Sequence, residues 1–152
     1  MSGRWPARSG AIQRAWSTRS STIVPRASVD ETVAVTQTAR RIALALVGVA
    51  VFLARSSYQG PLAQAVGSWG GNVAVSFAVY FIAAIAASRH GLGRLAAGAA
   101  ALLAVEAFEV TNGFGVMANT FDPVDLLANA AGVAAALAVD LAITRRASEP
   151  SR

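Results

Sequence analysis

Long stretches with very little charge dominate this chain of 152 residues. Between residues 42 and 143 there are three arginines, one histidine and five acids, whereas seven of the thirteen arginines lie before residue 42. Apolar segments bounded by basic ends are typical of membrane-spanning helices. The composition agrees, because 14% of the residues are charged, against about a quarter in soluble domains. The sequence therefore predicts an all-α integral membrane protein.

Four segments are expected to cross the bilayer as helices, at residues 42–54, 71–88, 95–110 and 123–143. The first is the weakest, because its short run forms only about 20 Å of helix against a hydrocarbon core of about 30 Å. Its flanking Arg41 and Arg55 are expected to extend outward to the membrane surfaces. Arginine is concentrated before the first span, in the second loop and after the fourth span. This distribution predicts four transmembrane helices with both termini in the cytoplasm.

The chain is interpreted as one membrane domain with two tails. Residues 1–31 are rich in Arg, Ser, Gly and Pro without a helical period, and we expect a disordered cytoplasmic tail. A transit peptide, a twin-arginine export signal or a misplaced start codon are alternatives for this segment. Residues 32–146 form the four-helix membrane domain, and residues 147–152 form a short C-terminal tail. The charge of +5 fits these topology signals better than nucleic-acid binding.

The residue types argue against several kinds of site. The chain has no cysteine, which excludes disulfides and thiolate chemistry. His90 is the single histidine, which argues against a conventional zinc site. Nothing in the sequence matches a nucleophile elbow or a phosphate-binding loop. We therefore expect no enzyme activity, metal or cofactor, and a lipid bilayer as the main partner.

Four of the eight acids are concentrated around the third loop. Glu106 and Glu109 share a face near the end of the third helix, and Asp122 and Asp125 lie at the start of the fourth. Because a short loop joins these antiparallel helices, the acids are expected to converge near the outer membrane surface. An acid inside a span costs about 2.5–3.5 kcal/mol, so the group is a candidate ligand-binding pocket.

These residues also have structural interpretations. Asp122 followed by Pro123 is typical of a helix N-cap and the first helical position. Glu106 is a candidate for an ion pair with Arg55. Glu109, nearer the water, is expected to be solvated. Only substitution of the acids separates a functional pocket from folding roles.

Polar and small side chains form stripes on the second and fourth helices. The stripe on the second helix consists of Asn72, Ser76 and Tyr80, and that on the fourth consists of Asp125, Asn129, Gly132 and Ala136. Asn129 suits either the pocket or an interhelical hydrogen bond. Gly132 and Ala136 are predicted to permit close helix packing. Asp140 is interpreted as local charge balance for Arg145.

The segment AVEAFEVTNGFGVMANTFDPVDLLANAAGVAAALAVD resembles the C-terminal half of VanZ-like proteins. That family carries a glutamate on the third helix, usually followed at i+3 by glutamine, and then Asp-x-x-x-Asn-x-x-Gly at the start of the fourth helix. The matching positions are Glu106, Asp125, Asn129 and Gly132. Glu109 stands in place of the usual glutamine, and the arginine expected before the aspartate is absent.

The resemblance implies a small multi-pass protein of the bacterial inner membrane, from a family in which some members are associated with low-level teicoplanin resistance. The candidate site is then an outward pocket for a cell-envelope or lipoglycopeptide ligand, formed by Glu106, Glu109, Asp125, Asn129 and Arg55. One alternative is a small proton- or ion-coupled transporter that uses Glu106 and Asp125. Another is an interaction protein whose N-terminal tail recruits a cytoplasmic partner.

Overall fold

Helices make up the part of the chain that the computed structural model describes, which is residues 26–111, 113–115 and 122–148. These residues hold four α-helices: α1 (Arg26–Ala54), α2 (Ala63–Arg89), α3 (Arg94–Val110) and α4 (Pro123–Ser148). Short 3-10 helices follow α1 at Arg55–Ser57 and α3 at Gly113–Gly115. No strand occurs in the residues described, and the predicted all-α class is confirmed.

Three helical stretches are long and apolar enough to cross a membrane: Glu31–Ser57, Ala63–Arg89 and Pro123–Arg146. The membrane class predicted from composition is therefore supported by continuous helices of sufficient length. α3 contains 17 residues, which amounts to about 25 Å of helix against a hydrocarbon core of about 30 Å. It is the shortest of the four helices, and α1, expected to be the weakest span, is the longest.

α1 extends well beyond its predicted boundaries. The predicted span covers residues 42–54, but the helix begins at Arg26. Residues 26–31, assigned to the N-terminal tail, are therefore helical, and residues 1–25 lie outside the described part. The physical reason is that no glycine or proline interrupts residues 26–47, so the polar first half can continue the same hydrogen-bonded helix.

α2 is the central element and packs against each of the other three helices. Its side chains Tyr80 and Phe81 are fully buried, and their rings meet edge to face with centroids 5.1 Å apart. The buried residues around these rings are mainly alanines, at positions Ala84, Ala97, Ala101 and Ala136. Aromatic rings from one helix thus fill the space that small residues leave on its neighbours.

Two glycines allow other helices to approach α2 closely. A Cβ atom on Gly132 of α4 would collide with the carbonyl oxygen of Val73 and lie 2.9 Å from Cβ of Ser76. A Cβ atom on Gly48 of α1 would lie 2.8 Å from the carbonyl oxygen of Ala74. Contact at backbone distance between helices is what small residues provide in membrane bundles. The Gly132 stripe therefore packs α4 against α2.

Candidate functional site

The polar stripe on α2 faces α4 and runs between two clusters of polar side chains. Near its middle, Ser76 Oγ donates a hydrogen bond of 2.8 Å to Asn129 Oδ1, and both side chains are buried. One turn further along, the Tyr80 hydroxyl donates to Asp140 Oδ2 at 3.3 Å. The stripes found in the sequence on the second and fourth helices are therefore the two sides of one polar interface.

Acids from α3 and α4 meet amides from α2 and α4 at the end of the bundle where α4 begins. We call this group the acid–amide cluster, and it consists of Asn72, Glu106, Glu109, Asp125 and Asn129. The side chain of Asn129 lies beside the Glu106 carboxyl. The Asp125 carboxyl lies beside the side chains of Asn72 and Glu109. The structure thus brings four of the five candidate pocket residues together and adds Asn72.

Two features of the acid–amide cluster make it electrostatically unusual. Glu109 is only 5% exposed, so the expectation that water solvates it is wrong, because its face of α3 turns toward the bundle. Oε2 of Glu106 is buried and has no hydrogen-bond partner among the described residues. Neither Glu106 nor Asp125 forms an ion pair with any described arginine. Acidic groups are therefore concentrated in this cluster, and no described arginine is paired with Glu106 or Asp125.

Arg55, the fifth candidate pocket residue, contacts other groups. Its guanidinium carbon lies 4.0 Å from the centroid of the Phe52 ring, and Nη1 donates to the Phe52 carbonyl oxygen at 3.4 Å. The same guanidinium occupies the space beside Gly71, where a Cβ atom would lie 2.8 Å from its Cζ. The ion pair with Glu106 is not formed. Arg55 therefore borders the cluster through the residue before Asn72 rather than joining it.

Asp122 acts at the start of α4. Its Oδ1 accepts a hydrogen bond of 3.0 Å from the backbone N–H of Val124, and its carbonyl oxygen accepts one of 2.9 Å from the N–H of Asp125. Pro123 occupies the first helical position, where a missing N–H costs nothing. This is N-cap geometry, and it separates the role of Asp122 from that of Asp125.

The opposite end of the bundle holds a second cluster that sequence reasoning did not identify. We call it the arginine cluster: Arg40, Arg41 and Arg94 surround the fully buried Asp140. Arg94 Nε lies 2.7 Å from Asp140 Oδ2, Arg40 Nη2 lies 3.6 Å from Oδ1, and Arg41 Nη2 lies 3.9 Å from Oδ2. Two helices, α1 and α3, thus place three guanidinium groups around one carboxylate of α4.

Two expectations for this end of the bundle are wrong. Asp140 is not paired with Arg145, which is exposed, because residues five apart on a helix point about 140° away from each other. Arg41 does not extend to the membrane surface: it is 5% exposed, and its Nη1 donates to the carbonyl oxygen of Ala84 at 2.8 Å. The sequence did contain one signal for this cluster. Asp140 is an acid within an apolar run, and such an acid usually has a partner nearby.

Neither cluster has the arrangement of a metal site. Within residues 26–111, 113–115 and 122–148, no group of three or more His, Cys, Asp or Glu side chains is placed to hold a metal ion. Comparisons with protein-family models, with curated proteins and with solved structures find no match for this chain. Function must therefore be argued from the chemistry of the two clusters.

Proposed function

We propose that this chain is a VanZ-like protein of the bacterial inner membrane whose acid–amide cluster binds a cationic group of a cell-envelope or lipoglycopeptide ligand. Three apolar helices support membrane insertion. The four positions that carry the resemblance, Glu106, Asp125, Asn129 and Gly132, all lie at the packed faces of α3 and α4. The resemblance and the cluster therefore select the same part of the molecule.

The orientation proposed for the bundle places the acid–amide cluster at the outer membrane surface. Arginines lie before residue 42, between α2 and α3, and after residue 143, and these positions share one side when all four helices cross. α3 can complete its crossing despite its length, because the bilayer can thin locally around a short helix. The connection between α3 and α4 then lies on the outer side.

The observation that carries the proposal is the buried Oε2 atom of Glu106, which lacks a hydrogen-bond partner among the described residues. A buried polar atom without a partner costs about 1–3 kcal/mol. The carboxyl groups of Asp125 and Glu109 are neighbours, and their mutual repulsion is relieved when they share a proton or when a cation lies beside them. A cationic ligand group satisfies both requirements at once.

The test measures binding of teicoplanin to the purified protein in detergent, from the rise in melting temperature with teicoplanin concentration. Glu106→Gln and Asp125→Asn keep the shape of each side chain but remove its charge. We expect each to weaken the apparent affinity by about tenfold or more, the loss of one charge-assisted hydrogen bond. In cells, the same variants should fail to complement a teicoplanin phenotype of a deletion strain at normal protein abundance.

Asp122→Asn is the matched control, because asparagine caps a helix as well as aspartate does. It should bind and complement as the wild type does. Orientation is checked in the same cells with Gln59→Cys, which should react with a membrane-impermeant maleimide from outside, and His90→Cys, which should react only after permeabilisation. Wild-type affinity in both acid variants, or outside labelling of His90→Cys, would contradict the proposal.

A further inference from the structure

A recess of about 320 Å³ opens beside the arginine cluster, where α2 ends and α3 begins. Its lining includes Arg41 and Gln37 from α1, Ser88 from the end of α2, and Gly93 and Arg94 at the start of α3. This recess lies at the other end of the bundle from the acid–amide cluster. It is large enough for a small polar group and is not needed for the proposed function.

Positive charge is in excess around the recess. Arg40, Arg41 and Arg94 face a single described carboxylate, that of Asp140, which leaves a surplus of two positive charges. Arg41 is 5% exposed, and its Nε atom is buried without a hydrogen-bond partner. A guanidinium desolvated to this degree strongly favours a second anion.

The first turn of α3 adds hydrogen-bond donors on the same side. The N-cap residue Gly93 has no side chain to cap the helix, and no acidic residue occurs in the first turn. The leading N–H groups of a helix lack intrahelical partners and carry the positive end of its dipole. Gly93, Arg94 and Arg41 all line the recess, so these donors and the Arg41 side chain border the same space.

We propose that this recess binds a phosphate group, held by Arg41, Arg94 and the first turn of α3. Guanidinium groups present paired N–H donors that match phosphate oxygens, and helix N-termini bind the same group through backbone N–H atoms. The phosphate can belong to an anionic lipid headgroup or to a soluble phosphate compound. The position of the recess at the end of a membrane bundle favours the lipid headgroup.

Gly93→Asp provides the sharpest test. Gly93 has φ −79° and ψ 173°, which any residue adopts, and a Cβ atom there meets nothing within 4 Å. Aspartate at this position should cap α3 and preserve folding, while its carboxylate occupies the anion site. Gly93→Ser is the matched control, since it caps without charge. We expect Gly93→Asp to weaken phosphate binding by about tenfold or more and Gly93→Ser to retain it.

Arg41→Gln removes one of the proposed ligands, and Arg89→Gln removes an equal charge from the exposed end of α2. Binding is measured from melting temperature in detergent with two probes, phosphatidylglycerol and inorganic phosphate. Arg41→Gln should weaken binding about tenfold, and Arg89→Gln should change it by less than about twofold. Stabilisation of the wild type by phosphatidylglycerol alone identifies a lipid site, and stabilisation by inorganic phosphate identifies a soluble one.

Three results would overturn the proposal. The first is a wild-type protein that neither probe stabilises. The second is Gly93→Asp binding with the affinity of Gly93→Ser, which would place the anion away from α3. The third is an equal loss in Arg41→Gln and Arg89→Gln, which would assign binding to general surface charge. If Arg41→Gln does not fold, the Gly93 pair decides the question alone.

Discussion

The two ends of this bundle differ in whether their acidic side chains have arginine partners. In the arginine cluster, Asp140 is surrounded by three guanidinium groups within 4 Å of its carboxylate oxygens. In the acid–amide cluster, Glu106 and Asp125 have amide and carboxyl neighbours and form no ion pair with a described arginine. Each cluster contains a buried carboxylate oxygen without a hydrogen-bond partner in the described part of the chain, Asp140 Oδ1 and Glu106 Oε2. Of these two acids, only Asp140 has guanidinium groups within 4 Å among the described residues. Removing one partner of a buried ion pair is costly, whereas a buried acid without a cationic partner is a candidate for binding a ligand or a proton.

The largest effect that separates the two ends is expected from Asp140→Asn. Removing this carboxylate leaves Arg41 and Arg94 without their common partner in a buried environment. Breaking a buried ion pair in this way costs about 3–5 kcal/mol, so the free energy of unfolding in detergent should fall by that amount. Glu106→Gln should lower the free energy of unfolding much less, because its removal leaves no described cation without a partner. Equal losses of unfolding free energy in Asp140→Asn and Glu106→Gln would show that the two ends do not differ in this way.

Exposed Glu31 provides the matched control for this experiment. Glu31→Gln removes a carboxylate from α1 without touching either cluster, and it should change the free energy of unfolding by no more than about 0.5 kcal/mol. Combining Asp140→Asn with Arg41→Gln should recover part of the loss, because the double variant buries fewer unpaired charges. No recovery in the double variant would mean that Arg41 is not a partner of Asp140 in solution.

An intermediate effect is expected at Gly132, which lies between the two clusters. Gly132→Ala forces α4 away from the Val73 carbonyl oxygen, and overpacking of this kind costs about 1–3 kcal/mol. Gly98→Ala is the matched control on α3, since its Cβ atom would lie 3.9 Å from the Tyr80 ring, an ordinary contact. That variant should gain up to about 1 kcal/mol from helix propensity. Thermal melts of both variants in one detergent measure the difference.

Gly132→Ala also tests whether the ends are coupled through the α2–α4 interface. Because the collision lies next to Ser76, displacement of α4 should disturb the acid–amide cluster first. Ligand affinity at that end should therefore fall in parallel with stability. A stability loss without any change in teicoplanin or phosphate binding would show that the two ends act independently of this contact.

The smallest effect is expected from Ser76→Ala. This change removes the 2.8 Å hydrogen bond to Asn129, and hydrogen bonds between membrane helices contribute about 0.6 kcal/mol on average. Ser88→Ala is its control, because the Ser88 hydroxyl is exposed and donates only to the Ile85 carbonyl oxygen. A loss of several kcal/mol in Ser76→Ala would mean that the acid–amide cluster depends on this bond for its arrangement.

Features with a local cause could be predicted from the sequence. The start of α4 follows from Asp122 and Pro123, which satisfy helix-end donors within two residues. The face shared by Glu106 and Glu109 follows from helical spacing, and their meeting with Asp125 follows from the short connection between α3 and α4. Each of these features depends on residues that are close in sequence, so residue spacing along the chain predicts their geometry.

Features that depend on distant partners could not be predicted in this way. Arg41 was expected at a membrane surface because its partner Asp140 lies on another helix. Arg94 counted only as a topology signal for the same reason. The start of α1 was placed too late because hydropathy marks the apolar part of a helix and not its polar extension. Helix boundaries follow backbone hydrogen bonds, which continue through polar residues as readily as through apolar ones.

The position of the arginine cluster partners along the chain has a consequence for biosynthesis. Arg40 and Arg41 belong to α1, whereas Asp140 belongs to α4, which the ribosome makes later. Until α4 is inserted, the buried guanidinium of Arg41 and the partly buried one of Arg40 lack the Asp140 carboxylate, and their cost in the bilayer is unrelieved. A truncated chain that lacks α4 never acquires the Asp140 carboxylate. The ion pairs therefore make the stability of α1 in the membrane depend on the insertion of α4.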